Sequence, residues 1–368
     1  LNLLLGQRTS AKCVPARAAA SREIRRHVAG HHVILNFPSQ YLGDVEYPVI
    51  LSFHGSGDTG SSQHLSANFH SAIDNNPFLT PIVVTPNAAS GIVSQRPWNV
   101  IVDGGSDPSQ PDHVAFIKFL VETYLTTTYC IDTSRIYATG YSNGARFASK
   151  LACDLDGQIA AVAAVGGIRY PRPCKCFSGV TPVLALHGTA DGTNPYNGGG
   201  SSYWQTGVED ALYGWAWHNS CSGTAQGVFN GPGNMSEHGR YRAVCLSHDC
   251  SPESEVVLLQ YPGGGHGWMP DATDYILRFF ACHSLEKDTT RNDSRCTLFS
   301  KQTGTNLCGL GFCAILEGFS TSTFRSTTAT TSSARSTISG SSSLCRGALC
   351  MYQLFFCVFV TFSICIVP

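Results

Sequence analysis

Runs of apolar residues recur along the chain at 32–37 (HVILNF), 48–53 (PVILSF), 78–85 (FLTPIVVT), 135–139 (RIYAT), 182–187 (PVLALH) and 255–261 (EVVLLQY). Such runs, apolar at most positions rather than at every second one, describe strands covered on both faces, as in a parallel sheet. His32 to Phe37 is expected to begin the sheet, and Pro81 inside the third run predicts an irregular start to that strand. Between the runs the period changes. Val114, Ile117, Phe119, Leu120 and Tyr124 make a helical stripe that faces the core, and Ala145, Phe147, Ala148 and Leu151 make another. Tyr203 to His218 reads as an aromatic-rich helix with Trp215 and Trp217 in the core, and Ala272 to Cys282 as the last helix. Strands alternating with helices predict an α/β fold, a mostly parallel central sheet with helices on both faces.

One junction carries chemistry. Gly140-Tyr141-Ser142-Asn143-Gly144 lies where the run 135–139 ends and the helical period starts. A G-x-S-x-G at a strand-to-helix turn is a nucleophile elbow: the glycines keep the turn free of side chains, and Ser142 projects its hydroxyl above the sheet. A serine hydroxyl is a weak nucleophile at neutral pH and needs a base, an orienting acid and an oxyanion hole, with the acid and then the histidine following in chain order. Asp191 follows the run 182–187, at a strand's carboxyl end where catalytic groups of open α/β sheets belong. His266 follows the run 255–261 within PGGGHGW. Oxyanion donors are expected from the backbone N–H of Asn143 and from Gly55 and Ser56, in the small-residue loop after the run 48–53. Trp268, two residues beyond His266, is the aromatic candidate for contact with an acyl group.

The segments HGSGDTG, YATGYSNGARF, LALHGTADGTNPYNGG and YPGGGHGW, in this order, resemble the secreted feruloyl esterases and polyhydroxybutyrate depolymerase-like enzymes of the first carbohydrate esterase family. The resemblance runs from about His27 to Cys282. It implies an α/β-hydrolase fold with Ser142 as nucleophile, Asp191 as acid and His266 as base, working without metal or cofactor. The implied substrate is an ester on a plant cell-wall polysaccharide, with polyhydroxybutyrate and acetylxylan esters as alternatives; small aromatic or alkanoate esters fall in the same class. A binding protein on an inactive hydrolase fold is the competing class, disfavoured because all three triad positions are filled. One departure stands out. Where such proteins often carry an Asp-Asp pair before the helix leading to the elbow strand, this chain has Asp112-His113, a change that touches hydrogen bonding and not the triad.

Composition completes the picture. The 368 residues carry a formal charge of −1, and only 13% are charged, against about a quarter in an average chain. That balance gives no electrostatic case for a nucleic-acid partner. Sixteen cysteines point to disulfides and an oxidising compartment, and Asn234-Met235-Ser236 and Asn292-Asp293-Ser294 are glycosylation acceptors consistent with secretion. The expected organisation is an unassigned segment at 1–26, a catalytic domain at 27–285, a cysteine-containing appendage at 286–318, a Ser/Thr-rich stalk at 319–343 and an apolar tail at 344–368. Small residues at Gly340 to Ser343, a short spacer and a terminal apolar run match the order of a glycolipid-anchor signal, with a transmembrane tail as the alternative. The expected location is extracellular, free or attached to the outer cell surface.

Overall fold

A computed structural model describes residues 22–90, 97–101, 105–155, 157–171, 174, 179–230, 244–250 and 252–285. The chain divides into two units, 1–321 and 322–368, and the described residues all belong to the first. The appendage, stalk and apolar tail read from the sequence, and both glycosylation acceptors, lie outside the described residues.

Ten strands form one sheet among the described residues: β1 (Glu23–Val28), β2 (His31–Asn36), β3 (Tyr47–Phe53), β4 (Ile82–Ser90), β5 (Ile131–Tyr141), β6 (Ala161–Val165), β7 (Val183–Gly188), β8 (Ser222–Asn230), β9 (Val244–Asp249) and β10 (Val256–Tyr261). Their order is β1-β2-β4-β3-β5-β6-β7-β10-β9-β8. The six central strands, β4 to β10, pair in parallel, and antiparallel strands extend both edges. The helices are α1 (Gly60–Ala67), α2 (Phe69–Asn75), α3 (His113–Phe119), α4 (Thr126–Thr128), α5 (Asn143–Asp154), α6 (Val208–His218) and α7 (Ala272–Ala281), with a wide turn, Leu120–Leu125, joining α3 to α4.

Alternate residues of each central strand feed opposite cores. Val49, Leu51 and Phe53 face a cluster closed by Ile117, Phe147, Leu151, Leu212 and Trp215 from α3, α5 and α6. Ile50, Leu184, Leu186, Val257 and Leu259 face a second cluster closed by Phe69, Ile73, Ile276, Phe279 and Phe280 from α2 and α7. Burial on both faces is the reason these strands read as continuous apolar runs. Disulfides Cys153–Cys174 and Cys221–Cys250 tie the ends of α5 and α6 to neighbouring segments.

Five expectations are corrected. Phe119, expected in the core-facing stripe with Ile117 and Leu120, is 44% exposed while those two are fully buried. The sheet begins at Glu23, not at His32: β1 and β2 form a hairpin, and Arg25 and Arg26, exposed on the sheet edge, hide β1 from an apolar-run reading. The strand expected at 78–85 starts after Pro81 and runs on to Ser90. The helix expected from Tyr203 starts at Val208, because 203–207 is a loop ending on Gly207, in extended conformation as N-cap. Trp217 is 73% exposed while Trp215 is fully buried. Val208, Ala211, Leu212 and Trp215 already make the inward stripe, and two further residues turn Trp217 to the opposite side.

Candidate active site

The elbow forms where β5 ends and α5 begins. Ser142 takes φ 55°, ψ −114°, outside the regions that L-residues prefer. The turn is enforced by packing that leaves no room for side chains. A Cβ on Gly140 would lie 2.6 Å from the Gly144 carbonyl carbon, and one on Gly144 would run into the carbonyl oxygens of Phe53 and His54. The N–H of Ser142 donates to Val165 O of β6 at 2.9 Å, and its side chain sits at the start of α5 with Ser142 itself 9% exposed.

Asp191 and His266 come from loops after β7 and β10, two strands paired side by side. His266 Nδ1 lies 2.6 Å from Asp191 Oδ2. The other carboxylate oxygen accepts from the N–H groups of Thr193 (2.9 Å) and Asn194 (2.7 Å). His187, at the end of β7, places Nε2 2.9 Å from Asn194 O and 3.3 Å from Asp191 Oδ2. Burial alone would raise the Asp191 carboxyl, but the hydrogen bonds from His187, His266 and the Asn194 N–H outweigh it and hold the group well below the usual carboxylate range. The ionised acid then fixes the proton of His266 on Nδ1 and leaves Nε2 to exchange protons. The imidazole packs at the elbow, its ring 4.9 Å from that of Tyr141, the residue before Ser142. Burial, and then the Asp191 and Asp58 carboxylates, push the Tyr141 phenol up to about 12, so this neighbour stays neutral.

The expected oxyanion segments meet at the same place. Asn143 N is at the first turn of α5, and the loop after β3 runs beside Ser142: a Cβ on Gly55 would lie 3.1 Å from the Tyr141 ring and 3.4 Å from Ser142 Cβ. Ser56 follows in this loop. The Asn143 side chain is spent on structure, with Oδ1 accepting from Trp98 N at 2.7 Å and Nδ2 donating to Trp98 O at 3.3 Å. Trp268 is half-buried. Its indole N–H donates to Thr273 Oγ1 at 3.0 Å, and its ring meets Phe69 edge to face, so the second core fixes its orientation.

Sequence reasoning missed His187, His54 and Trp98 around this site. The signal for the first two was polar residues at the ends of buried strands; Trp98 lies in a stretch with no periodic pattern.

Residues 43–204 match the model of the Phospholipase/Carboxylesterase family. Feruloyl esterase B of Piromyces equi is 29% identical over 67% of this chain and 45% of its own length. A probable feruloyl esterase C of Aspergillus clavatus is 29% identical over 47% of this chain and 59% of its own. The match thus spans about half the length of these relatives. Among solved structures, the acetyl xylan esterase from Aspergillus awamori superposes with a TM-score of 0.50 over 71% of this chain and all of that one, at 13% identity. The chain has an α/β-hydrolase fold and is similar in sequence to the feruloyl esterases.

Proposed function

We propose that the protein is a serine carboxylic-ester hydrolase in which Ser142 is the nucleophile, His266 the base and Asp191 the orienting acid. The observation that carries this reading is the hydrogen-bonded His266–Asp191 pair packed against the strained turn that presents Ser142. In this reading Ser142 Oγ attacks the ester carbonyl as its proton passes to His266 Nε2. The carbonyl oxygen becomes an oxyanion held by the N–H of Asn143 and an N–H of the Gly55–Ser56 loop. Collapse breaks the ester C–O bond, and the alcohol leaves with the proton from His266. Water, deprotonated by the same imidazole, then attacks the acyl-serine; the acid departs and the serine hydroxyl is restored. The ion pair of imidazolium and carboxylate is stabilised without moving a second proton to Asp191.

The relatives named as feruloyl esterases support aromatic acyl groups on cell-wall polysaccharides as the substrate class, with Trp268 in the acyl site. Disulfides such as Cys153–Cys174 and Cys221–Cys250 support an extracellular location, free or attached to the cell surface. The test is a panel of methyl ferulate, acetylated xylan and a hydroxybutyrate oligomer, run with wild type and Ser142→Ala. Hydrolysis of methyl ferulate above the other two is expected, and Ser142→Ala should lose on the order of a million-fold in kcat. Preference for another member of the panel would move the substrate class and keep the mechanism. A variant within tenfold of wild type would remove Ser142 as nucleophile.

A further inference from the structure

His54 and His113 enclose the same residue. The N–H of Ala88 donates to His54 Nε2 at 3.1 Å, and the carbonyl of Ala88 lies 2.8 Å from His113 Nε2. A backbone N–H can only donate and a carbonyl can only accept, which fixes both tautomers. His54 carries its proton on Nδ1 and donates to Gly55 O at 2.8 Å. His113 carries its proton on Nε2, and its Nδ1 accepts from Asn99 N at 2.9 Å. Trp98, next in the chain, donates its indole N–H to His54 O at 3.1 Å and exchanges two hydrogen bonds with the side chain of Asn143. The Trp98 ring stacks on Phe147 of α5 at 4.7 Å. His54, Trp98, His113 and Asn143 are all buried, with exposures of 1%, 1%, 2% and 3%.

The bonds form a closed circuit: Gly55, His54, Ala88, His113, Asn99, Trp98, Asn143, and from Trp98 back to His54. Gly55 and Asn143 are the two ends of the proposed oxyanion hole, and they come from different elements, the loop after β3 and the start of α5. We propose that His113 and Trp98 are positioning residues that set the distance between the two halves of the oxyanion hole, His113 through Ala88 and His54, Trp98 directly through His54 and Asn143. Neither touches the ester. The inference rests on the reading of Ser142 as nucleophile and Asn143 and Gly55–Ser56 as oxyanion donors. A hole whose donors drift apart still binds substrate but stabilises the tetrahedral intermediate less, so the loss belongs in kcat and not in KM.

The experiment uses His113→Phe, which keeps a ring and removes both hydrogen bonds, and His113→Gln, whose amide can donate to Ala88 O and accept from Asn99 N. With a p-nitrophenyl ester, His113→Phe should lower kcat about 10- to 100-fold with KM within threefold of wild type, and His113→Gln should restore kcat to within about fivefold. Should His113→Phe fail to fold, Trp98→Phe, which keeps the stack on Phe147 and loses only the indole donor, is expected to show the same division between kcat and KM. Wild-type kcat in the folded variant, or a loss carried by KM, would overturn the proposal. Ser142→Ala assayed alongside keeps the two readings apart: if it is inactive while the folded His113 or Trp98 variant is at wild-type kcat, only the positioning role falls.

Discussion

At Asp191 each oxygen of the carboxylate has its own task. Oδ1 accepts two backbone N–H groups, from Thr193 and Asn194, while Oδ2 faces His266 and His187. In Asp191→Asn the single amide oxygen is drawn to the two N–H donors, which turns the NH2 toward His266 Nδ1. The imidazole must then accept on Nδ1 and carry its proton on Nε2, the tautomer that cannot take a proton from Ser142. We expect kcat to fall on the order of 10³- to 10⁴-fold with the unfolding midpoint little changed. Activity within tenfold of wild type would mean that Asp191 does not orient the base. Ser142 is the other residue under constraint: its φ of 55° costs on the order of 1–3 kcal/mol, and the hydrogen bond to Val165 O and the crowding around Gly140 and Gly144 hold it there.

Between elements, the contact that matters most is that of α5 against β3. Gly144 brings the first turn of α5 onto the carbonyls of Phe53 and His54, the last strand residue and the first of the oxyanion loop. Gly144→Ala puts a methyl against backbone atoms that cannot swing away, and we expect a loss of about 1–3 kcal/mol in urea unfolding together with reduced kcat. An unchanged urea midpoint would show that the helix can lift off β3 freely. This contact also explains how far the sequence could be read. G-Y-S-N-G and the apolar runs were legible because the turn and the doubly covered strands each impose a local pattern. The start of the sheet was not, since β1 is an edge strand with Arg25 and Arg26 exposed, and the start of α6 was hidden by aromatic residues that continue into the preceding loop. The circuit through His54, Ala88, Trp98 and His113 was illegible for a different reason. Its members are far apart in sequence, and only the pairing of β3 and β4 and the docking of α3 bring them together.

For the whole molecule, the buried histidines set a pH dependence of stability. Burial lowers the pKa of His31 and of His54, takes His113 to about 4, and takes His283 to about 3. In the unfolded chain these groups titrate near 6.5. Above that value both states are neutral and the full stability is present. As pH falls from about 6.5 toward 4 the unfolded chain takes up protons that the folded one refuses, so stability is lost across this window. His113→Gln removes one such group, and its stability should decline less than that of wild type between pH 7 and 4.5, by about 1.4 kcal/mol for each pH unit of the window. Parallel urea titrations at the two pH values measure the difference; equal declines would mean that His113 is protonated in the fold.

The order of strands has a consequence for the moment at which activity first exists. Ser142 follows β5, Asp191 follows β7 and His266 follows β10, and β10 lies against β7 in the interior of the sheet although it is the last of the described strands in the chain. A ribosome releases the nucleophile and the acid long before the base, and parallel pairing between distant segments is slow to form. The proposed triad therefore closes only when β10 slots in beside β7, and hydrolysis by a nascent chain would report that insertion.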